Sequence, residues 1–244
     1  MSYLPILVYH RVLKGPADKV SDPSRISISD TDFRGHMRWL KNRGYRTVSL
    51  DDYGRRLRGN EPYKGKCLAI TFDDGYEEVL TLAAPILKEY GYSATVFAVS
   101  GQLGGSNAWD NGGMRLLSAP QYRELDGLGF EIGAHTCSHV HLTRVDERTA
   151  RQEIANSKKG LEDLLGRSIR SFAYPYGETN DTVDHFVSDA GFEAGFATDN
   201  APRAHNENLF RIRRVVIFPG TNIWNLSWKV QHWYPYYQDW MRRR

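Results

Sequence analysis

The sequence predicts an α/β fold in which parallel strands close into a barrel within a single domain. Short apolar runs alternate with longer amphipathic stretches along the chain, the pattern of strands joined by crossover helices. About eight strand candidates follow one another with no linker, internal repeat or low-complexity segment, and a set of that size favours a closed barrel over an open sheet. The chain has 244 residues, 41% of them apolar and 25% charged, ordinary values for a globular protein with one sizeable core.

The elements can be read in order. "PILVY" at 5–9 is a buried strand. "SDTDFRGHMRWLKNRGY" is a helix capped by Ser29 or Asp30, with Phe33, Met37 and Leu40 at helical spacing. "YRTVSL" and "CLAITF" are strand-like, and "YEEVLTLAAPILKEYG" is a helix ending at Gly91. "ATVFAV" (strand), "SAPQYRELDGLG" (helix) and "FEIGAH" (strand) follow. "DERTARQEIANSKKGLEDLLG" is the longest helix, with Ile154, Leu161, Leu164 and Leu165 on one face. "RSFAY", "FEAGFAT" and "RRVVIF" complete the strands. The Gly-rich stretch "SGQLGGSNAWDNGGMRLLS" at 100–118 has no periodicity. It is expected as a long loop over one end of the barrel, and loops of that length are usually functional or mobile.

Composition excludes some partners. The net charge of +3 comes from 32 basic and 29 acidic residues, too small an excess to argue for nucleic acid. Two cysteines, Cys67 and Cys137, make no disulfide framework, although one bridge between them stays open. The N-terminus "MSYLPILVYHRV" has no basic n-region, and Pro5 breaks its short apolar run. No run approaches the roughly twenty apolar residues of a membrane span. A cytoplasmic location is the plain expectation, with export the alternative where a leader has been removed.

Four polar clusters stand just after strand candidates: His10, Asp73–Asp74, "HTCSH" at 135–139 and "YPYG" at 174–177. In a parallel barrel the C-terminal strand ends form one face, so these clusters are expected to converge. His135 and His139, four residues apart, can reach one metal ion if the segment turns helically, with His141 and, less well, Cys137 as competing ligands. Adding one carboxylate of "FDDG" makes a facial set of two histidines and one carboxylate with open positions. Such a site suits hydrolysis, because the metal acidifies a bound water and polarises a carbonyl. Successive side chains leaving a strand point in different directions, so one Asp can bind metal while its neighbour accepts a proton. The plainer alternative is that Asp73 or Asp74 caps the helix beginning near Tyr76.

"TFDDG", "HTCSH" and the Pro-Tyr-Gly of "FAYPYG", in this order and at these separations, resemble the three signature motifs of the polysaccharide deacetylases, the NodB-homology or carbohydrate esterase family 4 domain. The resemblance covers nearly the whole chain and implies a distorted (β/α) barrel. It implies Asp73 as general base, Asp74, His135 and His139 as ligands of one divalent metal, and Tyr176 as donor of a backbone N–H to the oxyanion. Zinc is the usual metal in the family, with cobalt, nickel or iron as alternatives. Tyr174 and Pro175 of the same motif, together with Trp109, are candidates for substrate binding. Trp109 would stack on a sugar face or simply pack within its loop.

Two positions depart from the pattern. Many members carry an arginine two residues before the motif's proline, where this chain has Ala173. Arg211, Arg213 and Arg214 in "FRIRRVVIF" are replacement candidates, and Arg214, adjacent to the late strand, is the choice; a surface salt bridge is the alternative. Many members also carry the general acid as a histidine after the last strand, and His232 fits that poorly. Instead "ILVYHRV" resembles the circularly permuted branch that includes the poly-N-acetylglucosamine deacetylases, in which His10 would take the acid's place. The tail "NIWNLSWKVQHWYPYYQDWMRRR" holds four Trp and three Tyr in 23 residues. It is read as a barrel-covering segment with a break at Pro235, or as a peripheral membrane or partner contact.

The expected activity is metal-dependent removal of N-acetyl groups from an N-acetylated carbohydrate. The alternatives are a deacetylase or deformylase of a lipid- or nucleotide-linked sugar, an amidase of non-sugar cyclic amides, and a catalytically inactive carbohydrate-binding relative. The oligomeric state is not readable.

Overall fold

The computed structural model describes residues 4–15, 25–110, 113–198 and 208–242. Eleven strands are found there: β1 (Ile6–Tyr9), β2 (Arg11–Leu13), β3 (Ser27–Ser29), β4 (Arg46–Thr47), β5 (Cys67–Phe72), β6 (Thr95–Ala98), β7 (Glu131–Ala134), β8 (Ser171–Ala173), β9 (Ala194–Ala197), β10 (Ile212–Arg213) and β11 (Val215–Val216). The main sheet runs β10-β9-β8-β7-β6-β5-β1-β11, and each pairing along it is parallel. Its two ends, β10 and β11, are separated in the chain by Arg214 alone. The sheet is therefore nearly closed, a distorted barrel in a single domain. Part of the distortion lies at β5, where β4 pairs with Cys67 and Leu68 and β6 with Thr71 and Phe72.

The strands read as unbroken apolar runs because both their faces are covered. All of "ILVY" in β1 and "CLAITF" in β5 is buried. Alternate residues serve two cores: Leu7 and Tyr9 pack in the larger cluster with Phe33, Met37 and Leu40 of helix α1 (Asp30–Asn42). Ile6, Ala69, Phe97, Ala173 and Phe196 join a second cluster with Leu50, Tyr53 and Leu57 of α2 (Leu50–Gly59). Helix α2 thus covers the strand starts and leaves the opposite end free.

Helix α2 corrects the reading of "YRTVSL" as a strand: only Arg46–Thr47 pair, and the Ser49 side chain accepts the Asp52 N–H and starts a helix. The stretch 76–91 opens as a π-helix (Val79–Ala83) before α3 (Ala84–Glu89), and Pro85, which lacks an N–H, sits in the first turn of α3. Then come α4 (Ala119–Gly127) and α5 (Glu147–Leu165), the longest helix, with Ile154 and Leu161 buried. Helix α6 (Asp181–Asp189), capped by Asn180, was not anticipated. The C-terminal segment forms α7 (Ile223–Lys229) and α8 (Tyr234–Arg242); Pro235 falls in the first turn of α8 and keeps the two apart. Both cysteines are free. No helix among the described residues is long and apolar enough to cross a membrane. Arg243 and Arg244 lie outside the described residues.

At the α2 end, the Glu131 carboxylate accepts the Asp51 N–H at 3.1 Å and the Ser171 hydroxyl at 3.3 Å. Burial, reinforced by the Asp51 carboxylate, pushes Glu131 up from about 4.5 to about 8. A folded-state value above the unfolded one means that folding takes up a proton. This contribution is fully present below about pH 4.5 and is lost as pH rises through about 8. Glu131→Gln, which cannot ionise, is therefore expected to gain Tm relative to wild type between pH 5 and pH 9. A Tm difference that stays constant over that range would contradict the assignment.

Candidate active site

The free end of the barrel is where the motif residues meet. Tyr9 pairs with Phe72 across β1 and β5, and the Asp73 N–H donates to the Tyr9 carbonyl at 3.0 Å. His10 and Asp73 therefore leave adjacent strands at the same level. His135 leaves β7, its N–H bonded to the Ala98 carbonyl at 2.9 Å. Together His10, Asp73, Asp74, His135, His139 and Tyr176 line a cleft of about 410 Å³. Val8, Asp110, Thr198, Val216 and Phe218 share its walls. Sequence reasoning did not single out these last five. Thr198 and Phe218 each end a strand candidate, a position that marks this face, whereas Asp110 lies in the aperiodic loop and carries no comparable signal.

Asp73, at 4% relative exposure, faces the guanidinium of Arg214, itself 1% exposed. Arg214 donates through Nη1 to Asp73 Oδ1 at 2.7 Å and through Nη2 to Oδ2 at 2.8 Å, a bidentate fork. Nη1 also donates to Thr71 Oγ1 at 3.2 Å, and the guanidinium carbon lies 5.2 Å from the Phe97 ring centre. Burial would raise the Asp73 carboxyl, but the Arg214 guanidinium beside it outweighs burial and holds Asp73 below the usual carboxylate range. Arg211 and Arg213 are committed elsewhere, Arg211 to Asp184 and Asp181 and Arg213 to Asp239.

Asp74 has a left-handed backbone, φ 69°, as does the Gly75 that follows, φ 75°. A side chain at Gly75 would collide with the Tyr122 hydroxyl, which accounts for the glycine of "DDG". The turn brings Asp74 Oδ1 to 3.4 Å from His135 Nε2 and 3.1 Å from His139 Nε2. All three residues are buried, and one ligand atom from each lies within 4.8 Å of the others. His141 stands apart: it stacks on the Tyr176 ring at 3.6 Å and meets Glu178 through Nδ1 at 3.1 Å.

The donor set fits a metal. His135 Nδ1 lies 2.8 Å from the Ala173 carbonyl, which can only accept, so Nδ1 carries a proton, and in the neutral imidazole Nε2 presents a lone pair. That lone pair confronts Asp74 Oδ1, a buried oxygen with no hydrogen-bond partner. Converging acceptors without a proton between them are satisfied by a cation. Two histidines and one carboxylate leave the remaining positions of such an ion open.

Tyr176 stands at φ 60° in the turn Pro175–Gly177. The turn's bonds run from the Gly177 N–H to the Tyr174 carbonyl and from the Glu178 N–H to the Pro175 carbonyl, without the Tyr176 N–H. Gly177 has φ 69°, and a side chain there would collide with Thr198.

Two expected substrate contacts are corrected. Tyr174 is fully buried, its hydroxyl donating to the Phe210 carbonyl at 2.6 Å and lying 3.0 Å from Asp184. Pro175 is buried as well. Neither is on the cleft wall. Trp109 stacks on the His139 ring at 4.4 Å, so one of its faces supports a candidate ligand. His232 lies with Leu4, Tyr63 and Lys66 in a groove away from the cleft.

Comparison with known proteins agrees with this geometry. The family model described as polysaccharide deacetylase matches residues 60–195. A Staphylococcus aureus (strain MSSA476) protein named poly-beta-1,6-N-acetyl-D-glucosamine N-deacetylase is 27% identical over 229 residues, covering 86% of this chain and 77% of that protein. The structure of Streptococcus pyogenes deacetylase PplD in complex with acetate matches with a TM-score of 0.81 and 25% identity, covering 93% of this chain and 98% of that one. That of IcaB from Ammonifex degensii matches with a TM-score of 0.77 and 29% identity, covering 93% and 97%.

Proposed function

The chain belongs to the polysaccharide deacetylase family, and from that premise we propose that it is a metal-dependent hydrolase removing N-acetyl groups from an N-acetylated saccharide. The observation that carries this reading is the buried, unpartnered Asp74 oxygen facing two imidazoles, beside a second carboxylate neutralised by Arg214. A divalent metal held by Asp74, His135 and His139, zinc by preference and cobalt, nickel or iron otherwise, supplies a Lewis acid that polarises the acetamide carbonyl and acidifies water.

The chain's own groups do the rest. Asp73, ionised and oriented by the Arg214 fork, takes the proton from the attacking water. The Tyr176 N–H donates to the oxyanion that forms on the acetamide oxygen. His10, as imidazolium, gives its proton to the departing nitrogen as the C–N bond breaks, yielding acetate and a free amino sugar. The cleft position of His10 supports this assignment.

Release of acetate from N-acetylglucosamine oligomers tests the proposal. Formate release from an N-formyl analogue without acetate release from the N-acetyl one, or turnover of a cyclic amide alone, would contradict it. Metal binding with no turnover of any acetylated sugar would favour an inactive carbohydrate-binding relative.

One observation favours a lipid-linked substrate as the second reading. Trp224, Trp228 and Trp240 are 80%, 53% and 48% exposed, and aromatic side chains of this kind suit a membrane interface. Co-sedimentation with anionic vesicles checks it: a Trp224→Ala/Trp228→Ala variant that pellets as wild type does, or no pelleting at all, counts against it.

A further inference from the structure

The loop between the two histidines is held from outside by a residue no motif marks. Thr136 and His139 both have left-handed backbones, φ 63° and 61°, a sparsely populated conformation for residues with side chains. Something must hold such a loop, because its shape decides whether the two imidazoles converge. Within the loop, Thr136 Oγ1 accepts the His139 N–H at 2.9 Å. Beneath it, the Ser100 N–H donates to the Thr136 carbonyl at 3.0 Å and the Gly101 N–H to the Cys137 carbonyl at 2.9 Å. The N–H groups of Cys137 and Ser138 point the other way, to helix α5.

There they meet one side chain. Glu153 Oε2 accepts the Cys137 N–H and the Ser138 N–H, each at 2.9 Å, and Glu153 Oε1 accepts the Ser138 hydroxyl at 2.7 Å. Three bonds from one carboxylate join the middle of the loop to the barrel's longest helix. Glu153 is neither a ligand nor on the cleft wall. We propose that Glu153 is a positioning residue for the metal centre, clamping residues 137–138 so that the Nε2 atoms of His135 and His139 converge on Asp74. The inference rests on the metal-site reading given above.

The clamp predicts a specific pattern. Removing outer partners of metal ligands typically weakens metal affinity about 10- to 100-fold, and Glu153→Ala is expected to do the same. Glu153→Gln keeps a carbonyl oxygen able to accept both amides, and it is expected to stay within about 3-fold of wild type if the hydrogen bonds, rather than the charge, matter. Ser138→Ala, at an exposed position, removes one of the three bonds and should show a smaller loss. A double variant should bind no more weakly than Glu153→Ala alone, because the two share one interaction.

The test uses the full chain, stripped of metal and titrated with Co2+ against a chromophoric chelator, with the d–d absorption band recorded at saturation. The proposal expects weaker Co2+ binding and an altered band for Glu153→Ala, with both recovered in Glu153→Gln. Wild-type affinity and band in Glu153→Ala would overturn it, and so would a Glu153→Gln loss as large as that of alanine. If Glu153→Ala does not fold, Ser138→Ala decides, by a several-fold loss or by none. Failure of wild type itself to bind Co2+ would instead remove the metal-site reading, and the clamp with it.

Discussion

Asp73→Asn is expected to keep its metal and lose about 10²- to 10⁴-fold in kcat, the usual contribution of a positioned general base. The amide is nearly the same shape as the carboxylate, and its oxygen still accepts from one arm of the Arg214 fork; the buried guanidinium loses its counter-charge, so some stability is lost, while Asp74, His135 and His139 keep their places. What it cannot do is take a proton from water. The expected signature is therefore a fall in kcat with unchanged metal content and little change in KM. A variant that loses metal as well would place Asp73 among the ligands. A variant of wild-type activity would reduce it to the helix cap that "DDG" also permits.

The second large effect is expected at Arg214. Its guanidinium is buried and bound through both Nη atoms to a buried carboxylate. Replacing it with methionine fills the space but leaves Asp73 without its counter-charge. Breaking a buried pair from one side typically costs about 3–5 kcal/mol, and urea unfolding at pH 7 should register a loss of that order. Activity should fall too, because burial, no longer opposed by Arg214, pushes the Asp73 carboxyl upward. The sign follows from linkage: with a depressed folded-state value, Asp73 contributes stability above the ordinary carboxylate range and loses it as pH falls through the lower value. In Arg214→Met the acid limb of kcat/KM is expected to move to higher pH. An unmoved limb and unchanged stability would show that the fork does nothing for the base.

The strand-end residues were the legible part of this site. His10, the Asp73–Asp74 pair and His135 each follow an apolar run, with His139 one turn beyond, and a parallel barrel brings such positions to one face whatever their separation in sequence. Arg214 was harder, being one of three nearby arginines; only the strand pairing that threads it between β10 and β11 directs it inward. Tyr174 and Pro175 went the other way. A motif places residues near a site without saying which side of the backbone faces it, and Tyr174 turns into the core to reach Asp184 and Phe210. Trp109 lies in an aperiodic loop, where spacing says nothing about its neighbour His139. Helix α2 was hidden because "YRTVSL" reads as apolar alternation, although Ser49 followed by Asp51 and Asp52 is a helix start. The Glu153 clamp was invisible because α5 packs through its apolar stripe, and the pattern of that stripe does not report what a polar position touches.

The central claim is that one divalent ion held by Asp74, His135 and His139 is required for deacetylation. The most direct test is to strip the protein with a chelator, restore Zn2+ in increments, and follow acetate release from an N-acetylglucosamine oligomer at each step. The account predicts no acetate from the stripped protein and a linear rise that saturates at about one ion per chain, with His135→Ala inactive at every increment. Full acetate release from the stripped protein, or a His135→Ala variant that titrates as wild type does, would contradict it.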